Sequence, residues 1–433
     1  MSGLFNRFKL EENNTSVKTE VLAGATTFLT MVYIIVVNPV ILKGAGLPLN
    51  QVFMATIIAA VIGTLIMALA ANYPIAIAPG MGMNAYFVTE VTQQGVGYST
   101  ILGTVFIAGI LFVLLSLTSL REKLITAIPP SLKYGITSGI GLFIAFLGLR
   151  MSNIIVGSEE TLVTLGDLSE PGTLLTIAGL LITLALVTRN VTGALFIGMI
   201  LTSILAFMTG QLKIDGLVSA PPAPVFWDVD LSGVFSNGLY TVVFAFLLVT
   251  IFDTTGTMVG VAEQAGFLNK DGSLPKARAA LMADATATTV GSMFGTSPSS
   301  AYIESSTGVA AGGRTGLTTI VVSGLFIVSM FFSPVIAAVS DLAAITAPSL
   351  IIVGCFMMKG LAKVEWSSFD DAFPAFIIIL TMPLTSSIAT GISIGFILYP
   401  FVKVVRGKAK SVHWLLYLFA LIFVLQLIFF PSH

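Results

Sequence analysis

Apolar segments of about membrane-spanning length, separated by short polar or charged connectors, follow one another along almost the whole chain. Roughly 20 apolar residues in a helix cross about 30 Å of hydrocarbon. Transmembrane strands would alternate apolar and polar positions over about ten residues, a pattern the sequence lacks. The chain is therefore predicted to be an all-α polytopic membrane protein.

The spans of the first half are predicted at residues 22–42, 52–71, 74–92, 101–120, 132–149, 173–188 and 193–210. Those of the second half are predicted at residues 238–264, 278–293, 296–312, 315–333, 348–360, 372–386 and 387–404.

A last apolar stretch, residues 412–430, follows these fourteen spans and does not fit an even count. It fits an extra span or a helix that lies in the plane of the membrane. It also fits the true last span, if residues 372–404 form one interrupted element. The sequence leaves these three interpretations open.

Composition agrees with the membrane class. Of 433 residues, 56% are hydrophobic and only 9% are charged, and the mean hydropathy is +0.99. The formal net charge of −1 indicates no nucleic-acid partner. The amino-terminal stretch "MSGLFNRFKLEENNTSVKTE" is charged and lacks the pattern of a removable signal peptide.

Few residues are available for metal or nucleophile chemistry. The single cysteine, Cys355, cannot form an internal disulfide. Both histidines, His413 and His433, lie in the tail, so a histidine-based triad and a histidine metal site are not available. We therefore predict no catalytic residues, no metal and no cofactor, and a protein that is not an enzyme.

The positive charges predict the orientation, because Lys and Arg favour the cytoplasmic side. With the amino terminus in the cytoplasm, every lysine and arginine except Lys43, Arg150 and Lys213 falls inside. Acidic residues collect on the outer side: Glu159, Glu160, Asp167, Glu170, Asp228 and Asp230. We predict a multi-pass protein of the plasma (inner) membrane with a cytoplasmic amino terminus.

The two halves of the chain resemble each other at four places that occur in the same order. The matched pairs are "APGMGMNAY" with "TSPSSAYIE", "GVGYSTI" with "GRTGLTTI", "IPPSLK" with "TAPSLI", and "TGALFIG" with "TGISIG". Each half has seven predicted spans, and an odd number means that the second copy enters the membrane from the opposite side. Inverted repeats of this kind are typical of secondary transporters, whose site lies near the midplane between discontinuous helices.

Two of the predicted spans are interrupted at matched positions. "YPIAIAPGMGMNAYF" meets Pro79-Gly80, and "GSMFGTSPSSAYIE" meets Ser297-Pro298. Ser before Pro is typical of an N-cap and the first helical position. Each interruption therefore predicts an extended segment that leads into a half-helix, with the unpaired N–H groups and the positive dipole end inside the membrane. Such backbone is tolerated only where it is buried in protein or lines a cavity.

Polar residues near these interruptions are the candidate site. Asn84 lies five residues past Pro79 and Glu304 six past Pro298, so both are expected about two turns into their half-helices. Asp253 lies midway along a long span. A bare carboxylate at the bilayer centre costs about 2.5 kcal/mol or more, so Asp253 and Glu304 need a polar cavity, a partner or a proton. Asp284 is expected to cap or buttress this site.

The stretches "APGMGMNAYF", "FDTTGTMVG" and "SPSSAYIESSTGVAAGGRTGLTT" resemble the AzgA-like purine permeases of the second nucleobase–cation symporter family. The resemblance covers nearly the whole chain. It implies fourteen helices in two inverted seven-helix repeats, with the two broken helices in a core domain and the rest in a gate domain. The implied core comprises residues 21–122 and 236–333, and the gate comprises 123–212 and 334–406. A cytoplasmic amino terminus (1–20) and a terminal apolar helix (407–433) complete the division.

In that family the substrate lies between the broken helices and the eighth span, and Asn84, Asp253 and Glu304 match positions that bind the base. Thr254 and Ser300 are further substrate-binding candidates, and Gly82, Ser299 and Asp284 are secondary ones. The departures are small: Met83 and Met258 stand where leucine is common, and Ala311 stands where an acid is frequent. They leave the type of site intact.

The chemistry agrees with this implication. A 6-oxopurine offers ring N–H donors, and guanine adds an exocyclic amine. Carboxylates accept hydrogen bonds from these donors, and an amide side chain both donates and accepts. Hypoxanthine and guanine are therefore favoured over adenine. Asp253 and Glu304, close together, would couple their titrations and give proton symport. The expected partners are thus a purine, a proton or sodium, the lipid bilayer and, as an option, a second copy in a homodimer.

Three other functions fit the spans less well. Half-helix dipoles would suit an inorganic anion such as sulfate or bicarbonate, but two acids at the site repel anions. An intramembrane protease could use an acid pair, although nothing in the sequence suggests a second substrate. A channel would not accumulate its solute uphill.

Overall fold

The computed structural model describes residues 7–118, 127–214, 216–269 and 274–429. In the first half the elements are α1 (Val17–Met31), α2 (Ile34–Lys43), α3 (Leu49–Ile66), a π-helical turn (Met67–Ala71), β1 (Ile77–Pro79), α4 (Met81–Gln94), α5 (Tyr98–Leu117), α6 (Pro130–Met151), β2 (Ile155–Ser158), β3 (Leu162–Leu165), α7 (Pro171–Thr188) and α8 (Ala194–Met208).

The second half again has a strand between helices near its start. Its elements are α9 (Leu231–Ser236), α10 (Tyr240–Ala265), α11 (Ala277–Phe294), β4 (Ser299–Ala301), α12 (Ser305–Ala310), α13 (Gly316–Ser329), α14 (Ser333–Ser340), α15 (Ala343–Met357), α16 (Phe369–Thr385), α17 (Ile388–Val405) and α18 (Trp414–Phe429). Short 3₁₀ turns cover Met330–Phe332, Met358–Lys363 and Ala409–Ser411.

The helices confirm the membrane class. Within the described ranges, nine helical stretches are long and apolar enough to cross a bilayer, and α8 and α18 are shorter apolar helices. Each predicted span contains a helix, and the spans at 74–92 and 296–312 are the two that contain a strand as well. The protein is thus an all-α polytopic membrane protein with two broken helices.

The apolar tail forms α18, which packs against α17 and α10. Phe419 contacts Phe244 with ring centroids 5.0 Å apart, and Phe423 contacts Phe396 at 5.7 Å. Helices α16 and α17 are separated by Ser386, whose φ is +51°, and they pack side by side. Residues 372–404 are therefore two helices, which removes the interpretation of one interrupted element.

The two interruptions pair with each other inside the molecule. Strands β1 and β4 are antiparallel, with Ile77 opposite Ala301, Ala78 opposite Ser300 and Pro79 opposite Ser299. All six residues are buried. Matched segments that run antiparallel are what inverted repeats require. Their pairing also satisfies backbone groups that lipid could not, so the strands are tolerated at this depth.

The expected start of the second half-helix is wrong. Ser297-Pro298 does not cap a helix, because Pro298 O accepts from Gly80 N at 2.9 Å and the chain stays extended through β4. Helix α12 begins at Ser305, and Glu304 occupies its N-cap position rather than lying two turns inside it. Asn84 is the fourth residue of α4, one turn inside. Strand pairing between the repeats thus delays the second helix.

The helices separate into two groups around the strand pair. Helices α3 and α5 pack against α11, α1 packs against α13 and α12, and β4 packs against α10 and α11. In the other group, α6 packs against α15 and α16, α7 packs against α8 and α15, and α17 packs against α16. The first group is the core that carries both broken helices, and the second is the gate.

Candidate functional site

A cavity of about 390 Å³ lies where the strand pair meets α10 and the gate helices. Such a volume is within the usual range for small-molecule sites. The core side of the cavity is lined by Tyr33, Gly80, Met81, Gly82, Asp253, Thr257, Ser300, Ala301, Tyr302, Ile303 and Glu304. The gate side is lined by Thr137, Val353, Phe356, Met357, Lys359 and Gly360. The site therefore lies between the two groups of helices.

Asp253 and Glu304 face the same cavity. Asp253 comes from the middle of α10, and Glu304 comes from the turn between β4 and α12. Glu304 Oε1 accepts a hydrogen bond of 2.6 Å from the hydroxyl of Tyr33. Both acids are partly exposed to the cavity rather than sealed in the protein. The structure thus brings together the two carboxyl groups that the sequence singled out.

Ser300 and Gly82 also line the cavity, one from each interruption. Gly82 lies where the first half-helix approaches the gate: a methyl group at this position would lie 2.5 Å from Cγ2 of Ile140 on α6. Gly80 packs against Ser300, since a methyl group there would lie 2.8 Å from Ser300 Oγ. At the first interruption the backbone therefore packs closely against its neighbours, because Gly80 and Gly82 have no side chains.

Asn84 is not among the lining residues of this cavity, and its side chain is fully buried. Its Oδ1 accepts a hydrogen bond from Ser297 Oγ, and its Nδ2 has no protein partner within the described residues. Asn84 is two residues past Gly82, which turns it about 200° around the helix axis. Because Gly82 faces the cavity, Asn84 points away from it. Its predicted role in base binding stays a prediction, with this placement against it.

Thr254, Ser299 and Asp284 also lie outside the lining. Thr254 follows Asp253 by about 100° of helix rotation. Its hydroxyl donates to Asp284 Oδ2 at 2.6 Å and accepts from Ala301 N at 3.3 Å. Ser299 is buried on the face opposite Ser300, since neighbours in a strand alternate. Asp284 and Thr254 thus brace the end of β4 behind the site.

Sequence reasoning missed several residues of the cavity. Tyr33 lies in the apolar run "MVYIIVVNPV", and its hydroxyl is the one feature in the sequence that could indicate a place in the site. The charge pattern predicts Lys359 in a cytoplasmic connector, and the structure places it in the lining of the cavity, with its Nζ 5.7 Å from the centre of the Phe356 ring. Tyr302 donates from its hydroxyl to Pro79 O at 2.6 Å and so joins the two interruptions. Among the described residues, no group of three His, Cys, Asp or Glu side chains could hold a metal ion.

A larger cavity of about 570 Å³ lies elsewhere, between α1, α2, α8 and α14. Its lining, as far as the described ranges go, is apolar except for Ser203 and Ser329 and includes no charged residue. Small-molecule sites need a few convergent polar groups for specificity. The smaller, acid-lined cavity is therefore the better candidate.

Broken helices that pair through short strands, with a polar cavity between a core and a gate, are typical of membrane permeases. The transmembrane domain of the cyanobacterial bicarbonate transporter BicA has the same fold, with a TM-score of 0.67 at 16% identity over 86% of this chain and 96% of that chain. The murine anion transporter Slc26a9 gives a TM-score of 0.66 at 12% identity over 90% and 68%.

Residues 18–394 match the family model Xan_ur_permease, described as the Permease family, and the chain belongs to that family. It is 58% identical over 434 residues to the guanine/hypoxanthine permease PbuO of Bacillus subtilis, in an alignment that covers 97% of this chain and 99% of the relative. It is 43% identical over 435 residues to the adenine permease AdeP of Escherichia coli, covering 100% and 97%. These relatives are named as permeases, so the protein is a transporter rather than an enzyme, and the resemblance to the AzgA-like purine permeases is confirmed.

Proposed function

We propose that the protein takes up purine nucleobases by proton symport, with hypoxanthine and guanine favoured and adenine next. The observation that carries the proposal is the cavity of about 390 Å³ that Asp253, Glu304 and Ser300 line together. The relatives support the substrate class, since one is named for guanine and hypoxanthine and another for adenine.

The cavity offers what a flat heterocycle with several N–H donors needs. Asp253 and Glu304 accept hydrogen bonds, and the Ser300 hydroxyl both donates and accepts. Phe356, Tyr33 and Tyr302 supply aromatic surface around these groups. A 6-oxopurine carries one ring N–H donor in each of its two rings, whereas adenine lacks the N1–H donor and presents an acceptor there. Guanine and hypoxanthine are therefore the better fit.

Two acids in one small cavity give a route to proton coupling. Their titrations are coupled, so a bound purine changes how many protons the pair holds. A proton taken up on one side and released on the other then accompanies each purine. Sodium is the alternative coupling ion, since carboxylate and hydroxyl oxygens also bind it.

We infer that transport alternates by movement of the core, residues 21–122 and 236–333, against the gate, residues 123–212 and 334–406. The close approach of Gly82 to Ile140 lies on this boundary. We also propose a plasma-membrane location with a cytoplasmic amino terminus. Lys359 and Ile303, both exposed lining residues, would then lie toward the cytoplasm.

An inorganic anion is the second candidate, because the structures that share the fold are those of anion transporters. That likeness concerns the fold alone. The two carboxyl groups in the cavity oppose an anion, and Lys359 is the one cation among the described residues that line it. A neutral base is therefore preferred.

Uptake of labelled hypoxanthine into proteoliposomes tests the proposal. With an acidic exterior we expect accumulation above the external concentration, collapse by a protonophore, competition by guanine and indifference to sulfate and bicarbonate. Uptake that follows a sodium gradient alone would show that sodium, rather than the proton, is the coupled ion. Absence of purine uptake together with sulfate or bicarbonate transport would contradict the proposal.

A further inference from the structure

Helix α1 runs beside the short half-helix that begins after Glu304. Just past the end of α1, Tyr33 donates to the Glu304 carboxylate at 2.6 Å. One turn earlier, Thr30 Oγ1 lies 3.1 Å from Thr307 Oγ1 and 3.4 Å from Glu304 O. The end of α1 and the residues after it therefore contact both the side chain and the backbone of Glu304.

The two helices continue side by side without space for a side chain between them. A methyl group at Gly308 would lie 2.0 Å from Thr27 Oγ1 and 2.8 Å from Ala23 O. Glycine at this position thus lets the backbone of α12 rest directly on α1. Any shift of α12 along α1 is transmitted to Glu304, because α12 is only six residues long.

Glu20 anchors the far end of this pair of helices. Its side chain is fully buried and accepts from the turn that follows α12 and starts α13. Oε1 accepts from Arg314 N at 2.8 Å, and Oε2 accepts from Thr315 N at 3.2 Å and from Thr315 Oγ1 at 2.9 Å. Oε2 also accepts from Thr318 N at 3.2 Å and from Thr318 Oγ1 at 2.6 Å. A carboxylate at a helix N-terminus is stabilised by the dipole as well.

The same turn closes the end of α12. The Arg314 guanidinium donates from Nη1 to Val309 O at 2.6 Å and to Gly313 O at 2.8 Å. It is therefore engaged with one of the last carbonyls of α12. Glu20, through the turn, sets where α12 ends relative to α1.

We propose that Glu20 is a positioning residue for Glu304, acting through the turn at 311–315 and along α12. The inference rests on the proposed function in that Glu304 is taken to bind the purine. Removal of the Glu20 carboxylate frees α12 to shift along α1, and the Glu304 carboxyl then leaves its place beside Tyr33 in the cavity that Asp253 also lines. Purine affinity falls although no lining residue has changed.

The inverted repeat supplies a matched control at the other end of the core. Asp230, at the start of the second repeat, accepts from Thr100 Oγ1 at 3.1 Å, and its backbone N donates to Ser99 O at 3.0 Å. It thus holds the first turn of α5 as Glu20 holds that of α13. No residue of α5 lines the cavity. Loss of the Asp230 carboxylate should therefore affect stability but not the position of Glu304.

The experiment measures hypoxanthine affinity and thermal stability of purified wild type, Glu20→Gln and Asp230→Asn. We expect Glu20→Gln to raise Kd by about tenfold or more, the size of the loss of one hydrogen bond to a charged group. Asp230→Asn should lower Tm and change Kd less than about twofold, within the effect of a distant site. An unchanged Kd in folded Glu20→Gln, or an equal rise in Asp230→Asn, overturns the proposal.

Thr318→Val gives a gentler variant if Glu20→Gln does not fold. It removes the 2.6 Å hydrogen bond from the hydroxyl and keeps the carboxylate. We expect a smaller rise in Kd in the same direction, and an unchanged Kd in folded Thr318→Val overturns the proposal.

A readout without purine separates this inference from the proposed function. Cys355 is the single cysteine and is exposed, so Cys355→Ser gives a thiol-free background for Ile303→Cys beside Glu304. We expect Glu20→Gln to change the modification rate of this thiol several-fold and Asp230→Asn to leave it unchanged. Failure of wild type to bind any purine counts against the function alone, whereas an unchanged thiol rate counts against the positioning role.

Discussion

The two interruptions are matched by the repeat but contribute differently to the cavity. The first, β1 with α4, lines it with Gly80, Met81 and Gly82, whereas the second, β4 with α12, supplies a run from Ser300 to Glu304. One residue separates helix α4 from its strand, and the helix has 14 residues, while three residues separate α12 from its strand, and that helix has 6. The fold is symmetric, and the chemistry is concentrated in the second interruption. The first provides the space and the close approach to the gate.

The strongest test of this asymmetry replaces one glutamate from each interruption. Glu304→Gln should abolish proton-driven accumulation of hypoxanthine, a loss of about 100-fold or more, because the variant cannot exchange a proton at the site. Glu90 is 1% exposed on α4, is hydrogen-bonded by Gln94 at 3.1 Å and does not line the cavity. Glu90→Gln should therefore keep most of the uptake. Undiminished uphill uptake in Glu304→Gln would refute the coupling role.

A second test addresses the packing of the first interruption against the gate. Gly82→Ala places a methyl group 2.5 Å from Ile140 Cγ2, so it should hinder movement between core and gate. We expect the maximal uptake rate to fall by about tenfold, which corresponds to a rise of about 1.4 kcal/mol in the activation free energy. Ile140→Ala in the same chain should restore part of the rate. No rescue in the double variant would mean that the methyl group acts elsewhere.

Asn84 is the predicted counterpart of Glu304 in the first half-helix, but its side chain lies outside the cavity. Asn84→Ala should lower stability by about 1–3 kcal/mol, since Ser297 loses a buried acceptor. Its effect on Kd for hypoxanthine should remain well below that of Glu304→Gln. Ser297→Ala, which removes the other partner, is the matched control for stability. An equal loss of affinity in Asn84→Ala and Glu304→Gln would restore a direct role for the amide.

The smallest expected difference between two variants concerns a pair of tyrosine hydroxyls. Tyr33→Phe removes the donor to Glu304, and Tyr302→Phe removes the donor to Pro79 O that joins the interruptions. A hydrogen bond to a charged group is worth about 1.5–3 kcal/mol and a neutral one about 1 kcal/mol. Tyr33→Phe should therefore weaken purine binding more than Tyr302→Phe does. Calorimetric titration of both variants with hypoxanthine checks this order of affinities. A larger loss of affinity in Tyr302→Phe would contradict a role of the Tyr33 hydroxyl in holding Glu304.

The membrane class, the inverted repeat and the two interruptions can all be predicted from the amino-acid sequence. Length and hydropathy define spans because the bilayer has a fixed thickness. An odd number of spans in each half inverts the second copy, and Pro79 and Pro298 mark where regular helices cannot continue. Asp253 and Glu304 stood out because acids are rare and costly at this depth. The structure brings both to one cavity.

Which neighbouring residues share that cavity depends on how the helices and strands pack in three dimensions. A difference of one or two residues rotates a helical side chain by about 100–200°, and one step along a strand reverses its face. The pairing of β1 with β4 delayed α12 to Ser305 and so brought Glu304 to the cavity, while Asn84 turned toward Ser297. Tyr33 and Lys359 reach the site from distant segments by long-range packing. That packing joins residues far apart in the chain, which local patterns do not encode.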